Sequence, residues 1–568
     1  MKWIPSAPAR AALAVAVLAA LGACKRVVVE WDVGYVVVNR DGHNLRRAIG
    51  ANGKLPIPPV RAVVGDTLEL RVRNSLDEST SIHAHGLFQR NATHMDGPAM
   101  ATQCGIPPGG SFAYVYNLDQ AGTFWLHGHD HHQNSDGLRA PLVVYDRPGE
   151  APFRYDQDIL LSMEDWYREE FAERAMQTLD PHSPFPPPHG YGFGLLNGVD
   201  GNLTRPLHFT PGRAYRLRLV NMSSLMWFKF SIAGHKLDVI EIDGEYTSRL
   251  PVDGINVGPA QRYSVLVAAR PTAKFNYRYT AVMHTNFIPP APGLSPRVYT
   301  GDVVYSAGAP LNLATKPVPD SPGFKWLDDI ELCALDGAPA LVPDRQITLE
   351  VGSNLYTTGQ RLDHINNITY APPNVPTLYT ALTTGSDALD PRIYGPQTHA
   401  VVLGHNQAIE LFINNPTALP HPLHLHGHTF QVLEYGPVAT TVVQVPAEFR
   451  NATVRRARHA PPRRDTVVVP EYNYVKLRFR ADNPGVWFFH CHMDIHFAMG
   501  MGMVFVEAPD VLQRTLRVPD EMYDFCHAQD ISVEGNAAGR SGLDFKGLST
   551  PPAIAVRPAG APGRAQQH

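Results

Sequence analysis

The stretch Gly485-Val486-Trp487-Phe488-Phe489-His490-Cys491-His492 decides how this chain folds. Apolar and aromatic residues run without a charge up to His490, which is typical of a buried β-strand. Successive side chains of a strand point to opposite faces, so Cys491 faces away from His490 and His492. One strand can therefore supply ligands to two sites, one on each side of its sheet.

Three further His-x-His pairs lie earlier in the chain, and random placement of 26 histidines in 568 residues would give roughly one. Side chains at positions i and i+2 of a strand share a face, about 6.6 Å apart. Each pair can therefore hold one metal ion or two neighbouring ions, and imidazole suits copper and zinc alike. The four pairs are His83/His85, His127/His129, His424/His426 and His490/His492.

Cys491 indicates which metal is bound. A thiolate with two histidines and a weak axial thioether is the blue-copper arrangement. His421, His496 and Met501 complete such a set with Cys491. Zinc can also use cysteine and histidine ligands, but a zinc site would not explain why the cysteine is bracketed by ligands of a second site. Met499 and Met503 are interpreted as core residues rather than extra copper ligands.

These motifs resemble the four copper motifs of multicopper oxidases and occur in that family's order. The segments that carry the resemblance are 81–86, 122–129, 421–428 and 490–501, supported by 102–104, 195–198 and 483–489. The resemblance implies four copper ions, three cupredoxin domains and the reduction of O2 to water. It implies type 2 ligands His83 and His424, type 3 ligands His85, His127, His129, His426, His490 and His492, and type 1 ligands His421, Cys491 and His496 with Met501 axial.

Three residues are expected to take part in catalysis. Cys491 carries electrons from the type 1 site to His490 and His492. Asp96 and Asp494 match acidic positions of the family that assist proton delivery, a task that suits buried carboxylates near cations. Asp96 could instead be a simple turn residue, and Asp494 could only orient a ligand.

The evenly spaced short alternating segments predict an all-β protein of Greek-key sandwiches or barrels, which the resemblance makes three cupredoxin-like domains. We place these domains at residues 26–147, 148–325 and 326–530, with one short helix near 165–179. Glycine, alanine and proline dominate residues 535–568, which predicts a disordered tail. The net charge of −4 offers no basic surface for nucleic acid.

The N-terminus has the layout of a secretory signal peptide over residues 1–22, with an apolar run too short to span a membrane. Leu21-Gly22-Ala23-Cys24 also resembles a bacterial lipobox, which would make Cys24 a lipid anchor. Secretion is the favoured interpretation, and no transmembrane segment is expected in the mature chain. Five glycosylation sequons are compatible with it: Asn91, Asn202, Asn221, Asn367 and Asn451.

Cys104 and Cys526 could pair in an oxidising compartment. No role is evident for Cys333.

The third block is similar to fungal iron-uptake ferroxidases and laccases at residues 366–370, 376–378, 393–395 and 535–539. Three departures argue against iron. The position aligned with a ferroxidase glutamate is Ala233, no C-terminal membrane anchor is present, and the loop after 421–428 is basic, which would repel Fe²⁺ if it faces the site. The basic residues are Arg450, Arg455, Arg456, Arg458, Arg463 and Arg464. The alternative is that this loop lies far from the copper.

We therefore expect a laccase-like oxidase of phenolic substrates. A coordinating Met501 would favour such easily oxidised donors. A ferroxidase, with an iron permease as its partner, is the close alternative, and a copper storage protein is the distant one. A monomer is expected in each case.

Overall fold

The computed structural model describes residues 24–40, 42, 44–180, 192–200, 205–284, 297–313, 323–438, 445, 449, 453–549 and 551. Several sequence predictions concern residues outside these ranges. They are the signal peptide at 1–22, the sequons at Asn202 and Asn451, the contribution of Arg450 to the basic loop, and the end of the predicted disordered tail.

The first group of strands forms two four-stranded sheets, ordered β2-β1-β4-β6 and β3-β8-β7-β5. Alternating burial along strands such as β6 shows why the sequence pattern predicted them. The strands are β1 (Arg26–Val38), β2 (Arg46–Ala51), β3 (Val60–Val63), β4 (Thr67–Asn74), β5 (Ile82–His85), β6 (Ser111–Asn117), β7 (Gly122–Gly128) and β8 (Arg139–Tyr145).

The second group forms sheets ordered β11-β10-β9-β13-β18-β15-β16 and β12-β20-β19-β14-β17. The strands are β9 (Gln157–Trp166), β10 (Phe193–Leu196), β11 (Val199–Asp200), β12 (Leu207–His208), β13 (Ala214–Asn221), β14 (Trp227–Ile232), β15 (Leu237–Ile242), β16 (Glu245–Val252), β17 (Gly254–Val257), β18 (Arg262–Ala268), β19 (Tyr277–His284) and β20 (Arg297–Val304).

The third group forms sheets ordered β22-β21-β24-β30-β26-β27, with β28 also on β26, and β23-β32-β31-β25-β29. The strands are β21 (Arg345–Leu355), β22 (Arg361–Ile365), β23 (Ala400–Leu403), β24 (Gln407–Asn415), β25 (His421–Leu425), β26 (Phe430–Pro437), β27 (Arg455–Arg456), β28 (Arg463–Arg464), β29 (Thr466–Val469), β30 (Asn473–Ala481), β31 (Gly485–Cys491) and β32 (Gly502–Glu507).

Apolar side chains fill the space between the two sheets of each group, as in a β-sandwich. The first core also continues into β31 and β32 of the third group, through Phe488 and Val504. Leu70 and Leu142 meet in the first core, Leu217 and Phe230 in the second, and Leu411 and Phe489 in the third. The prediction of an all-β fold with three sandwich domains is confirmed.

The described part of the chain contains five α-helices: α1 (Phe171–Leu179), α2 (Thr377–Thr383), α3 (Asp494–Ala498), α4 (Pro509–Thr515) and α5 (Asp520–His527). The helix predicted near 165–179 begins at Phe171, because residues up to Trp166 belong to β9. Among the described residues, none of the helices has both the length and the apolar character that crossing a bilayer needs.

Helix α5 returns the end of the chain to the first sandwich. Cys526 on this helix forms a disulfide with Cys104, 422 residues earlier, which confirms the predicted pairing. Cys24 and Cys333 are free, and Cys24 is exposed.

The predicted disorder does not hold for the first part of the tail. Asn536 is fully buried, and its side-chain amide donates to the carbonyls of Gly542 and Asp544. The amide of Ala537 donates to the carbonyl of Ile393. These polar contacts order residues 535–549 despite their loop-like composition.

The sequon at Asn221 is wrong as a glycan site. Asn221 is fully buried, and its side-chain amide donates to the carbonyls of Met226 and Val257. A glycan cannot reach this position in the folded chain.

Candidate metal centre

Two antiparallel strand pairs bring the predicted histidines together. His83 on β5 lies opposite His127 on β7, and His424 on β25 lies opposite His490 on β31. The first pair belongs to the first sandwich and the second pair to the third, so the site lies between them. The buried rings of one sandwich stack on those of the other, with ring centroids 3.9 Å apart for His83 and His426.

The ligand nitrogens of these histidines cluster into groups within 4.8 Å of one another. The groups are His83/His85/His127, His83/His424/His426 and His129/His426/His490. His492 lies beside them, with its ring centroid 5.0 Å from that of His85. All eight predicted cluster histidines are thus brought to one place.

Hydrogen bonds fix one nitrogen of several rings and leave the other free. The Nδ1 atom of His83 donates to the carbonyl of Asp96 at 2.8 Å, and that of His424 to the carbonyl of Asp465 at 3.0 Å. The opposite nitrogens are buried and have no hydrogen-bond partner among the described residues. These are the Nε2 atoms of His83, His127, His129, His424 and His492.

His85 uses the reverse arrangement. Its Nε2 atom lies 3.2 Å from both Asp465 Oδ1 and Thr466 Oγ1, and its Nδ1 atom is buried without a partner. Buried nitrogen atoms without partners are costly in an apolar interior. Several such atoms aimed at one centre fit the metal ions that the motifs imply.

Burial also keeps these imidazoles ready to bind a metal. Desolvation lowers the pKa of six of them well below its usual value, because the charged form loses its hydration. The imidazoles are therefore neutral at physiological pH, as metal ligation requires. The six are His85, His127, His129, His426, His490 and His492.

A second group of ligands lies on the other side of β31. Cys491 Sγ is 3.9 Å from His421 Nδ1 and 3.7 Å from His496 Nδ1, and the two Nδ1 atoms are 3.1 Å apart. A metal ion at the middle of this triangle would lie near 2 Å from each atom, a normal ligand distance. Met501 is fully buried in the same core, and its carbonyl accepts from the amide of Cys491.

Strand alternation links the two groups. His490 Nδ1 donates to the carbonyl of Cys491 at 2.9 Å, so the ligand of one site is hydrogen-bonded to the ligand of the other. On β25, His421 and His424 are three residues apart and therefore face opposite sides of the sheet. The predicted separation into two connected sites is what the geometry shows.

Thr417 orients His421. The Nε2 atom of His421 lies 3.0 Å from Thr417 Oγ1, which itself donates to Asn415 Oδ1. This contact directs the Nδ1 atom of His421 toward Cys491 and His496. Both residues are nearly buried, with exposures of 2% for His421 and 7% for His496.

Both predicted acidic residues touch this region. Asp96 Oδ2 accepts from His426 Nδ1 at 2.8 Å, so Asp96 contacts a ligand and is more than a turn residue. Asp494 accepts from Ser135 Oγ at 2.5 Å and lines a cavity of about 360 Å³ beside His127, His129 and His490. This cavity gives small molecules a path to the cluster.

Replacing Asp494 with asparagine is expected to change how stability depends on pH. Burial raises the pKa of Asp494 from 3.8 to about 7, although bonds from Ser135 and Asn134 act against it. A raised folded-state pKa gives stability that is lost as pH rises, here between about pH 4 and 7. Between pH 5 and pH 8, the free energy of unfolding of the metal-free wild type should fall by about 3 kcal/mol because of Asp494. The variant lacks this carboxyl group and should not show that fall.

Urea unfolding of both metal-free proteins at the two pH values measures this difference. Equal pH slopes for the two proteins would refute the expectation.

The sequence reasoning missed Asp465. This fully buried carboxylate lies beside His85 and His424 and pairs with Arg262, whose Nη1 and Nη2 atoms are 2.7 and 2.5 Å from its two oxygens. It therefore anchors ligands from two sandwiches. The only signal in the sequence is the charged run Arg463-Arg464-Asp465 directly before the buried strand β29.

The structure does not bring Ala233 to His421, Cys491 and His496. Strand β14 begins at Trp227, which packs in the core with Cys491 and Met501. Ala233 follows the opposite end of that strand, roughly 20 Å further along at the rise of a β-strand. The alanine at this position therefore carries no information about iron at the copper.

The basic loop is largely neutralised. Fully buried Arg464 pairs with Asp243 and Asp329, and Arg463 pairs with Glu245 and Asp336. Arg455 pairs with Asp328, and Arg456 with Glu434. Arg458 is exposed. The inferred repulsion of a ferrous ion therefore loses most of its basis.

Comparisons with known proteins agree with this geometry. Three family models described as multicopper oxidase match residues 32–149, 157–295 and 370–511. The iron transport multicopper oxidase fetC of Epichloe festucae is 37% identical over 94% of this chain and 86% of its own. The iron transport multicopper oxidase FET3 of Gibberella zeae is 36% identical over 92% and 83%.

Two solved structures extend the likeness to the fold. Fet3p, a multicopper oxidase that functions in iron import, aligns with a TM-score of 0.84 at 32% identity, over 94% of this chain and all of its own. A laccase from Botrytis aclada aligns with a TM-score of 0.74 at 27% identity, over 90% and 93%. The domains are therefore cupredoxin-like, and the resident metal that this likeness implies is copper. The chain belongs to the multicopper oxidase family.

Proposed function

We propose that this oxidoreductase oxidises ferrous ion and passes the electrons to O2, which is reduced to water. The observation that carries the proposal is the likeness over the whole fold, which is higher to an iron-import oxidase than to a laccase. The curated relatives described above carry iron-transport names over more than nine-tenths of this chain. The laccase-like interpretation that the sequence favoured becomes the second candidate.

Two of the three sequence arguments against iron have lost their support. Ala233 lies far from the type 1 ligands, and four arginines of the basic loop are paired with carboxylates. A carboxyl group lies near His496, since Asp363 Oδ2 is 4.0 Å from His496 Nδ1. An ionised carboxylate near His496, where the electron would enter, attracts a cationic donor, whereas a basic loop would repel it.

Four copper ions complete the proposal. His421, Cys491, His496 and Met501 would hold the type 1 ion, and His83 and His424 the type 2 ion. The type 3 pair would be held by His85, His127, His129, His426, His490 and His492. Bound copper supplies reversible one-electron transfer and a place for O2 to be reduced.

The protein's own groups then have defined tasks. The rings of His421 and His496 receive the electron at their edges. Cys491 and the hydrogen bond from His490 to its carbonyl connect the two sites. Asp494, whose pKa lies near 7, can exchange a proton inside the cavity, and Asp96 holds His426 in position.

We further propose that the chain is secreted, because the Cys104–Cys526 disulfide suits an oxidising compartment. Anchoring through Cys24 is the alternative. An iron permease would be a partner if the donor is ferrous ion.

A comparison of kcat/KM for ferrous ion and for a diphenol tests the proposal on the copper-loaded protein. The expected result is a clear preference for ferrous ion, with four ions oxidised for each O2 consumed. The Cys491→Ser variant serves as the blank for spontaneous iron oxidation. A clear preference for the diphenol would overturn the iron proposal in favour of a laccase, and no O2 consumption with either donor would indicate copper storage.

A further inference from the structure

Asp363 is a buried carboxylate beside the type 1 ligands that the copper motifs do not include. It lies on β22, its side chain is 4% exposed, and its Oδ2 atom is 4.0 Å from His496 Nδ1. His496 offers this same Nδ1 atom to the type 1 ion. The carboxylate is therefore a close neighbour of the metal position.

The surrounding strands hold Asp363 in one orientation. Ser353, its cross-strand partner on β21, donates its hydroxyl to Asp363 Oδ1. The amide of Asp363 donates to the carbonyl of Met499, and its carbonyl accepts from Thr369 Oγ1. These three contacts leave the second carboxylate oxygen directed toward His496.

Among the described residues, Asp363 forms no ion pair with a lysine or arginine, a situation that it shares with buried Asp96 and Glu507, whose partners are also histidines. Glu164, Glu241 and Asp465 each pair with an arginine. Within the described part of the chain, no lysine or arginine comes within 4.0 Å of Asp363. A buried carboxylate is expensive unless a positive charge compensates it. Arg361 on the same strand acts favourably on Asp363 from beyond 4.0 Å, and a type 1 ion would add a second positive charge beside the carboxylate.

We propose that Asp363 sets the reduction potential of the type 1 site by stabilising the more positively charged, oxidised metal. The inference rests on the type 1 assignment of the preceding section and does not depend on which donor the enzyme uses. Oxidised copper carries one more positive charge than reduced copper, and burial leaves little water to screen its attraction to the carboxylate. Asp363 therefore lowers the potential.

Burial raises the pKa of Asp363, because its charged form loses hydration, whereas His496 lowers it. A bound cation acts in the same direction as His496. A low potential favours easily oxidised donors, and the predicted axial Met501 acts in that direction too.

Redox titration of the copper-loaded Asp363→Asn variant, followed by its blue absorption, tests the inference. Asparagine keeps the size of the side chain and removes the charge. We expect the reduction equilibrium to shift about tenfold toward the reduced ion, which is about 59 mV for one electron. The blue band itself should remain.

Two further variants sharpen the test. Glu350→Gln removes an exposed carboxylate from the same strand as Ser353 and should shift the equilibrium less than about twofold, because water and salt screen it. Ser353→Ala keeps the charge of Asp363 and removes its hydrogen-bond donor, so it should lower the potential. This variant tests the inference even if Asp363→Asn does not fold.

A blue Asp363→Asn protein whose potential moves no more than that of Glu350→Gln would overturn the inference. An unchanged or raised potential in Ser353→Ala would also count against it. Absence of a blue band in the wild-type protein would instead refute the type 1 assignment.

Discussion

Replacing Cys491 with serine is expected to abolish the blue absorption and the oxidase activity together. The thiolate is the soft ligand that gives a type 1 site its colour, and a serine hydroxyl cannot replace it. Cys491 is also the residue that joins the type 1 triangle to His490 through its carbonyl. The carbonyl remains in the variant, but the thiolate that would connect it to the type 1 ion is removed, so the electron path is interrupted.

The same replacement should leave the histidine cluster largely filled. The His490 and His492 rings point away from the Cys491 side chain, and His490 Nδ1 donates to the backbone carbonyl of Cys491, which the replacement keeps. Copper analysis should find about three ions per chain where the wild type has about four, since one of the proposed sites is removed. Cys333→Ser is the matched control, because Cys333 is also a free cysteine but lies outside both sites. Blue colour retained in Cys491→Ser would refute the type 1 assignment.

Replacing Asp465 with asparagine is expected to lower the free energy of unfolding more than the replacements of Asp494 or Glu30. Asp465 and Arg262 are both fully buried and joined by two hydrogen bonds. Burial alone would raise the pKa of Asp465, but Arg262 and His85 hold it well below its usual value. Removing one partner of such a pair leaves an uncompensated charge and costs about 3–5 kcal/mol.

Asp465→Asn should also weaken copper binding at the cluster. The carboxylate accepts from His85 Nε2, and this contact sets which nitrogen of His85 is free for a metal. Urea unfolding of the metal-free protein and copper analysis of the loaded protein measure the two effects. The control is Glu30→Gln, which breaks an exposed pair with Arg71 and should cost less than about 1 kcal/mol. The expectation would be contradicted if Asp465→Asn lowered the free energy of unfolding as little as Glu30→Gln does.

The grouping of the candidate copper ligands could be predicted from the sequence, because each motif is local. Histidines two apart on a strand must share a face, and a cysteine between them must face the other way, whatever the rest of the chain does. The structure places all eight histidines in one cluster and Cys491 with His421 and His496. The identity of the electron-donating substrate could not be predicted this way. It depends on which groups surround His421, Cys491 and His496 in space.

Ala233 shows why an aligned position is a weak guide to a site. The sequence interpretation assumed that this residue lies beside the copper. In the structure, the start of β14 packs in the core that contains Cys491, and Ala233 follows the other end of the strand. The arginine loop shows the same difficulty for charge. Its side chains look like a basic patch in the sequence, and only the fold brings Asp243, Asp329 and Glu245 to neutralise them.

By itself, the sequence determined the strand-rich fold, the copper motifs and the existence of two sites joined through Cys491. It did so because the period of a β-strand fixes where neighbouring side chains point. The tertiary structure alone decided the roles of Asp465 and Asp363. His85 and Asp465 are 380 residues apart in the chain. Asp363 lies on β22, and strands β23 to β31 separate it from His496 in the sequence. Contacts of this kind leave no local pattern, because they arise only when separate sheets pack together.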